Sequence, residues 1–200
     1  DRVLAHGRIT VYPQRGDLQF VCDFVRPEGV GIMAARFEEL RLRLEGEGLL
    51  VRLTHRLLAV RVITLEDYLH SLDVRALIEP QAAALAAKAL TPQEIATLEA
   101  ELATLEQTAQ PPHDMHWSFD DRLHETIAER SGNPFLAKLI REMRRYTKIF
   151  ERQTVPARYK PGVDDHRRIL RALSAGKPED ARKAMAEHIR QVRKRILDAF

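Results

Sequence analysis

DDRLHETIAERSGNPFL, residues 120–136, is the stretch that decides how this chain folds. Leu123 and Ile127 recur at the spacing of one helix face, Gly132 stops the pattern, and Asn133-Pro134 opens a new one. Asp120 and His124 lie four residues apart, so a helix stacks them on one face beside those apolar side chains. A carboxylate and an imidazole on a core-facing stripe need partners. Either they satisfy one another, or something held between helices uses both.

The same period extends to both sides. Thr64 and Asp67 form a capping box that opens LEDYLHSLDVRALIEPQAAALAAKAL, with a kink expected at Pro80. Thr91-Pro92-Gln93-Glu94 supplies a cap, a proline at the first helical position and a glutamate at the third, and its helix runs to Pro111-Pro112. Further helices are expected over 114–131, from Asn133-Pro134 to residue 152, over VDDHRRILRALSA to Gly176, and from Pro178 onward. Six helices with short connections and no strand pattern predict an all-α antiparallel bundle over residues 64–200.

Residues 1–63 read differently. RFEELRLRLEGEGLL is helical and breaks at Gly46 and Gly48, and LLVRL and LLAVRVI flank Thr54-His55-Arg56 as a short β-hairpin. Upstream, Pro13, Gly16, Pro27, Gly29 and Gly31 interrupt any helical pattern. The domain boundary falls near Ile63-Thr64.

Composition narrows the class. Hydrophobic residues make up 44% and charged ones 30%, enough for a core under a charged surface. The single cysteine, Cys22, excludes an intramolecular disulfide framework and suits a reducing, cytoplasmic compartment. No apolar run approaches the roughly 18 residues a membrane span needs. The first residue, Asp1, leaves room for a native start upstream. Net charge is +3, with ten arginines, no lysine and eight acids in residues 1–63, a balance that permits contact with phosphates.

Enzyme motifs fail one by one. His124-Glu125 begins an HExxH-like string whose second histidine is replaced by Ala128. No glycine-rich phosphate loop follows a strand, and Ser118 and Ser131 sit in no nucleophile elbow. Arg190, Arg193, Lys194 and Arg195 read as a solvated face, and the alanines of 82–87 as close helix packing.

Two more histidines belong with Asp120 and His124. His166 shares a stripe with Ile169, Leu170 and Leu173, and His188 with Ala184, Met185 and Val192. Singly, each reads as a hydrogen-bonded core residue; together they put a polar group on each of three bundle helices. Unpartnered buried imidazoles cost a few kcal/mol apiece, and a divalent cation would satisfy all of them. Three nitrogens and a carboxylate suit zinc, nickel, iron or manganese better than calcium or magnesium. His116 extends the stripe, and Asp121 is a rival carboxylate within a turn of His124.

At this point the residues resemble a known family. LDVRALIEPQAAALAA, DDRLHETIAERSGNPFL, DDHRRILRAL and PEDARKAMAEHI, in that order over residues 72–200, are similar to the effector (FCD-type) domain of FadR-type regulators in the GntR family. The resemblance implies an all-helical effector domain holding a divalent metal, zinc or nickel foremost, through Asp120, His124, His166 and His188, and it favours Asp120 over Asp121. It implies a small organic acid as effector, with Arg75 of VRALIEP matching an arginine that helps bind it. It also implies a homodimer and an amino-terminal winged helix-turn-helix that reads operator DNA.

GVGIMAAR stands at the recognition helix, where Gly31 and Ile32 replace a serine and an arginine, and LEGEGLLVRL leads to the wing. Arg36, His55 and Arg56 are the DNA-contacting candidates. The expected protein is a metal-containing, effector-responsive transcription regulator. The alternative is a bundle metalloenzyme acting on a small carboxylate.

Overall fold

The structure, a computed structural model, describes residues 8–14, 17–23, 31–46, 48–54, 57–108, 112–154 and 162–200. It divides into two compact units, Asp1–Val62 and Ile63–Phe200.

In the first unit a four-stranded antiparallel sheet accompanies one described helix. The strands β1 (Arg8–Gln14), β2 (Asp17–Asp23), β3 (Leu50–Arg52) and β4 (Leu58–Val60) lie in the order β1-β2-β4-β3. Helix α1 (Gly31–Gly46) precedes β3. It ends as its glycines require: Gly48 takes φ +69°, open to glycine without a Cβ penalty, and its N–H donates to the Glu45 carbonyl. The β3–β4 hairpin matches the expected one. The β1–β2 hairpin was not anticipated. Its strands pair residue by residue from Arg8↔Asp23 to Gln14↔Asp17, and β2 joins β4 through Cys22↔Leu58. Pro13 had looked like an interruption. It lies on β1, an edge strand, where a missing N–H is tolerated.

The second unit is the helical bundle: α2 (Leu65–Ala86), α3 (Pro92–Gln107), α4 (His113–Arg130), α5 (Pro134–Thr154), α6 (Val163–Ser174) and α7 (Pro178–Ala199). Both capping boxes form: the Asp67 amide donates to Thr64 Oγ1 at 3.1 Å, and the Glu94 amide to Thr91 Oγ1 at 3.3 Å. Gly132 ends α4 at φ +71°, and Asn133 Oδ1 then accepts from the amides of Phe135 and Leu136 to start α5. Helix α2 continues through Pro80 and lies against α7, α5 and α4. Its fully buried Ala82, Ala83 and Ala86 let backbones approach closely. Leu123 and Ile127 of α4 are buried as their spacing demanded, each worth about 2 kcal/mol of burial. With α6 and α7 also packed together, α4, α6 and α7 aim their polar stripes into one core.

Candidate metal centre

Asp120 and His124 sit one turn apart on α4, His166 on the first turns of α6, and His188 midway along α7. Each stripe carries its polar residue inward because its neighbours, Leu123, Ile169 and Met185, are core residues. The result is one cluster whose four donor atoms all lie within 4.8 Å of one another. His124 Nε2 is 3.2 Å from His188 Nε2 and 3.5 Å from Asp120 Oδ1, and His166 Nε2 is 3.0 Å from the same oxygen. The three imidazoles are buried.

A second layer holds these groups in place. Glu79 of α2 accepts a hydrogen bond from His124 Nδ1 with one oxygen and from Arg75 Nε with the other. That bond puts the proton on Nδ1 and leaves the Nε2 lone pair facing the cluster, the tautomer a metal ligand needs. Burial works to raise the Glu79 carboxyl, but Arg75 and then His124 outweigh it and hold it well below the usual carboxylate range. Arg144 of α5 donates to Asp120 Oδ2 at 2.6 Å and to Asp121 Oδ1 at 3.0 Å. Burial again opposes ionisation of Asp120, yet Arg144 and then His124 keep it charged. Burial pushes the His188 imidazole down to about 3, so it is neutral at physiological pH. Behind it, Asp165 Oδ2 stands 3.9 Å from His188 Nδ1, beyond hydrogen-bond reach, and accepts instead from Arg195 Nη1 at 2.7 Å.

The donor set fits a first-row divalent metal. Ligands about 2.1 Å from a common ion lie roughly 3 Å apart when adjacent, close to the 3.0, 3.2 and 3.5 Å separations seen here. The Nδ1 atoms of His166 and His188 are buried without hydrogen-bond partners among the described residues, so the histidines are not explained by mutual satisfaction. Beside the cluster opens a cavity of about 30 Å³ whose wall includes Arg75, Trp117, Asp120, Glu151, His166 and Arg195. That is room for about two waters, or one carboxylate group. Burial, and then the Asp120 charge, push the Glu151 carboxyl up to about 7, although Tyr68 donates to it at 3.0 Å.

The FCD domain family matches residues 70–191, more than half of the chain. The chain therefore belongs to the FCD-domain family of GntR-type regulators. Among solved structures, E. coli McbR/YncC is similar to 85% of this chain over 82% of its own, at 27% identity and a TM-score of 0.66. A transcriptional regulator (GntR family member) from Pseudomonas syringae pv. tomato shares the fold at 22% identity, covering 85% of this chain and 71% of its own, with a TM-score of 0.57. Among curated proteins, the exodeoxyribonuclease 7 large subunit of Xylella fastidiosa (strain M23) is 54% identical over 48 residues, 24% of this chain and 11% of that protein. The Koribacter versatilis one is 39% identical over 51 residues, 26% of this chain and 11% of that protein. The chain thus spans about a tenth of the length of these curated relatives.

Within the FCD unit, the four anticipated donors are brought together, while Asp121 faces Arg144 and Lys148 outside the cluster. Arg75 is 2% exposed, tied to Glu79 and, through Nη1 at 3.1 Å, to Thr147. In the other unit, Arg36 lies on α1, and His55 and Arg56 lie outside the described residues. Sequence reasoning missed Glu79, Arg144, Asp165 and Arg195. Glu79 stands four residues after Arg75, a spacing that offered a signal. Arg195 is no solvated cation: its side chain is 23% exposed and paired with Asp165. Nothing in the local pattern of α7 reveals a partner thirty residues away on α6.

Proposed function

We propose that this protein is a cytoplasmic, DNA-binding transcription regulator whose FCD unit carries one divalent transition metal, zinc or nickel, and senses a small organic acid. The observation that carries the reading is the convergence of Asp120, His124, His166 and His188 beside a small cavity inside an FCD bundle. When bound, the metal would supply a Lewis-acidic point with positions open to an acid's oxygens. The chain's own part is to keep the His188 imidazole neutral, hold His124 through its hydrogen bond to Glu79, and shield the site with the core of α4, α6 and α7. No described helix is long and apolar enough to cross a membrane.

DNA reading belongs in this proposal to residues 1–63, a winged helix-turn-helix with Arg36 on α1 and His55-Arg56, which follow β3 in sequence, as its DNA-contacting residues. The order of α1 followed by a hairpin supports it, as recognition helix and then wing. A homodimer fits, because paired half-sites are read by two-fold pairs. The acid would act by binding two states with different affinity, typically by about 1–3 kcal/mol. The metalloenzyme alternative has no supporting observation beyond the metal site itself.

The test is fluorescence anisotropy on DNA from upstream of the protein's own gene, with the metal-loaded protein. Saturable binding that a small acid shifts only while metal is present supports the reading. Absence of binding under every metal and acid condition overturns it. Arg36→Ala should weaken that binding by about 1–3 kcal/mol.

A further inference from the structure

His124 and His188 turn the same ring atom, Nε2, toward each other at 3.2 Å, but their other ring nitrogens meet different surroundings. His124 Nδ1 donates to Glu79, which is itself held by Arg75. His188 Nδ1 is buried and has no hydrogen-bond partner among the described residues. A ring that offers its Nε2 lone pair to a cation carries its proton on Nδ1. Buried N–H donors are rarely left unpaired, because the water they give up has to be replaced by another acceptor.

The group facing that nitrogen is the Asp165 carboxylate, with Oδ2 at 3.9 Å. Asp165 sits in the first turn of α6, and its side chain is 6% exposed. Arg168 engages Oδ1, and Arg195 donates to Oδ2 at 2.7 Å. A carboxylate oxygen has two lone pairs, so Oδ2 can accept from His188 while it keeps Arg195. His188 and Arg195 are seven residues apart on α7, two turns along one face, and Asp165 stands opposite both. Gly162 leaves the space for this meeting: a Cβ there would stand 2.5 Å from Asp165 Oδ2 and from both Nη atoms of Arg195.

The missing distance is small. Roughly 1 Å separates 3.9 Å from the about 2.9 Å of an N–H···O bond, the scale of a side-chain adjustment and not of a helix shift. An imidazole whose Nε2 lone pair is drawn to a cation has a stronger Nδ1 donor, and a carboxylate that accepts that proton makes Nε2 a better ligand.

We propose that Asp165 is the positioning residue of His188: when the cluster holds its cation, Oδ2 accepts the His188 Nδ1 proton, as Glu79 does for His124. The inference rests on the reading of the four-residue cluster as a metal centre. Asp165 then ties the start of α6, where His166 also sits, to the ligand on α7, and two imidazoles of the centre are backed by carboxylates.

Nuclear magnetic resonance of the full-length, zinc-loaded protein with isotopically labelled histidine gives the direct readout. The His188 Nδ1 proton should resonate downfield beside that of His124, the position of an N–H shared with a carboxylate. In Asp165→Asn it should move upfield while the His124 proton stays. Competition with a chromogenic chelator gives the second readout. Asp165→Asn should bind zinc about 10- to 100-fold more weakly, the usual loss when a carboxylate behind a ligand histidine is removed. Arg195→Gln removes the ion pair between α6 and α7 but leaves the acceptor, so its zinc affinity should stay close to that of the wild type.

A His188 Nδ1 proton well upfield of that of His124 in the wild-type protein overturns the inference, even if Asp165→Asn fails to fold. Unchanged zinc affinity in folded Asp165→Asn overturns it as well. Equal losses in Asp165→Asn and Arg195→Gln would make the ion pair between the helices the cause, and the positioning role would fall. If the wild-type protein takes up no zinc, the reading of the cluster as a metal centre fails, and the inference with it.

Discussion

Residues 63–200 and residues 8–60 follow the same backbone chemistry but disclose it over different distances. In the FCD unit each helix start and stop is written within about four residues: Thr64 with Asp67, Thr91 with Glu94, Gly132 with Asn133. In the first unit the sheet rests on pairs such as Cys22↔Leu58 and Val21↔Ala59, which no short window contains. The candidate metal centre combines both regimes. Its donors sit on locally legible stripes, while their meeting is a tertiary fact. The contrast holds that the FCD unit's polar core is complete within that unit, and it can be broken at several places.

The harshest test is His166→Ala. Removing one of four converging donors should abolish the metal complement of purified protein, read by elemental analysis. A variant that keeps a full complement would show that the four residues do not act as one site.

Next is Glu79→Ala, which leaves Arg75 charged, buried and without its carboxylate and strips His124 Nδ1 of its acceptor. Breaking a buried pair on one side costs about 3–5 kcal/mol, measurable by urea unfolding of the metal-free protein. A loss below about 1 kcal/mol would mean that the network is solvated in solution.

A smaller effect depends on pH. The Glu151 carboxyl is raised to about 7 from an ordinary value of 4.5. Between those values the folded protein holds a proton that the unfolded chain has released, so stability falls as pH rises through this window. In chelator-treated protein, Glu151→Gln should leave stability at pH 4.5 nearly unchanged and raise it at pH 8 by about 2 kcal/mol, after allowance for partial exposure. His188 has the opposite sign: its depressed value costs stability as pH falls below its ordinary 6.5. That contribution is common to wild type and variant and cancels in the difference. Equal pH profiles for the two proteins would place Glu151 in water.

The smallest is Thr91→Ala. Loss of the capping box at α3 should cost about 1 kcal/mol. A null result would remove the local punctuation from the account of why this unit was readable.

The bundle and the four donors were legible because helical side chains repeat on a face every three to four residues, and a polar residue on an apolar face announces itself. Arg75 was legible as a position but not as a bonded group, because its partner Thr147 lies on another helix. Arg144 and Asp165 carried no signal, since charged residues are common on helices and only the fold shows which of them turn inward. The β1–β2 hairpin was hidden by Pro13 and Gly16, although Ile9 and Val11 alternate with polar Arg8 and Thr10. An edge strand tolerates a proline that an interior strand would reject, and a sequence does not label its edges.

The grip of Arg144 on Asp120 has a bearing on denticity. A carboxylate free at both oxygens can bite an ion with the pair, as a four-atom chelate ring. Here Oδ2 is engaged by a buried guanidinium while Oδ1 faces the histidines, so Asp120 offers the cluster a single oxygen. A metal held there would take one donor atom from each of the four residues. Any position left open would then depend on Arg144, which by engaging Oδ2 keeps Asp120 from supplying a second atom.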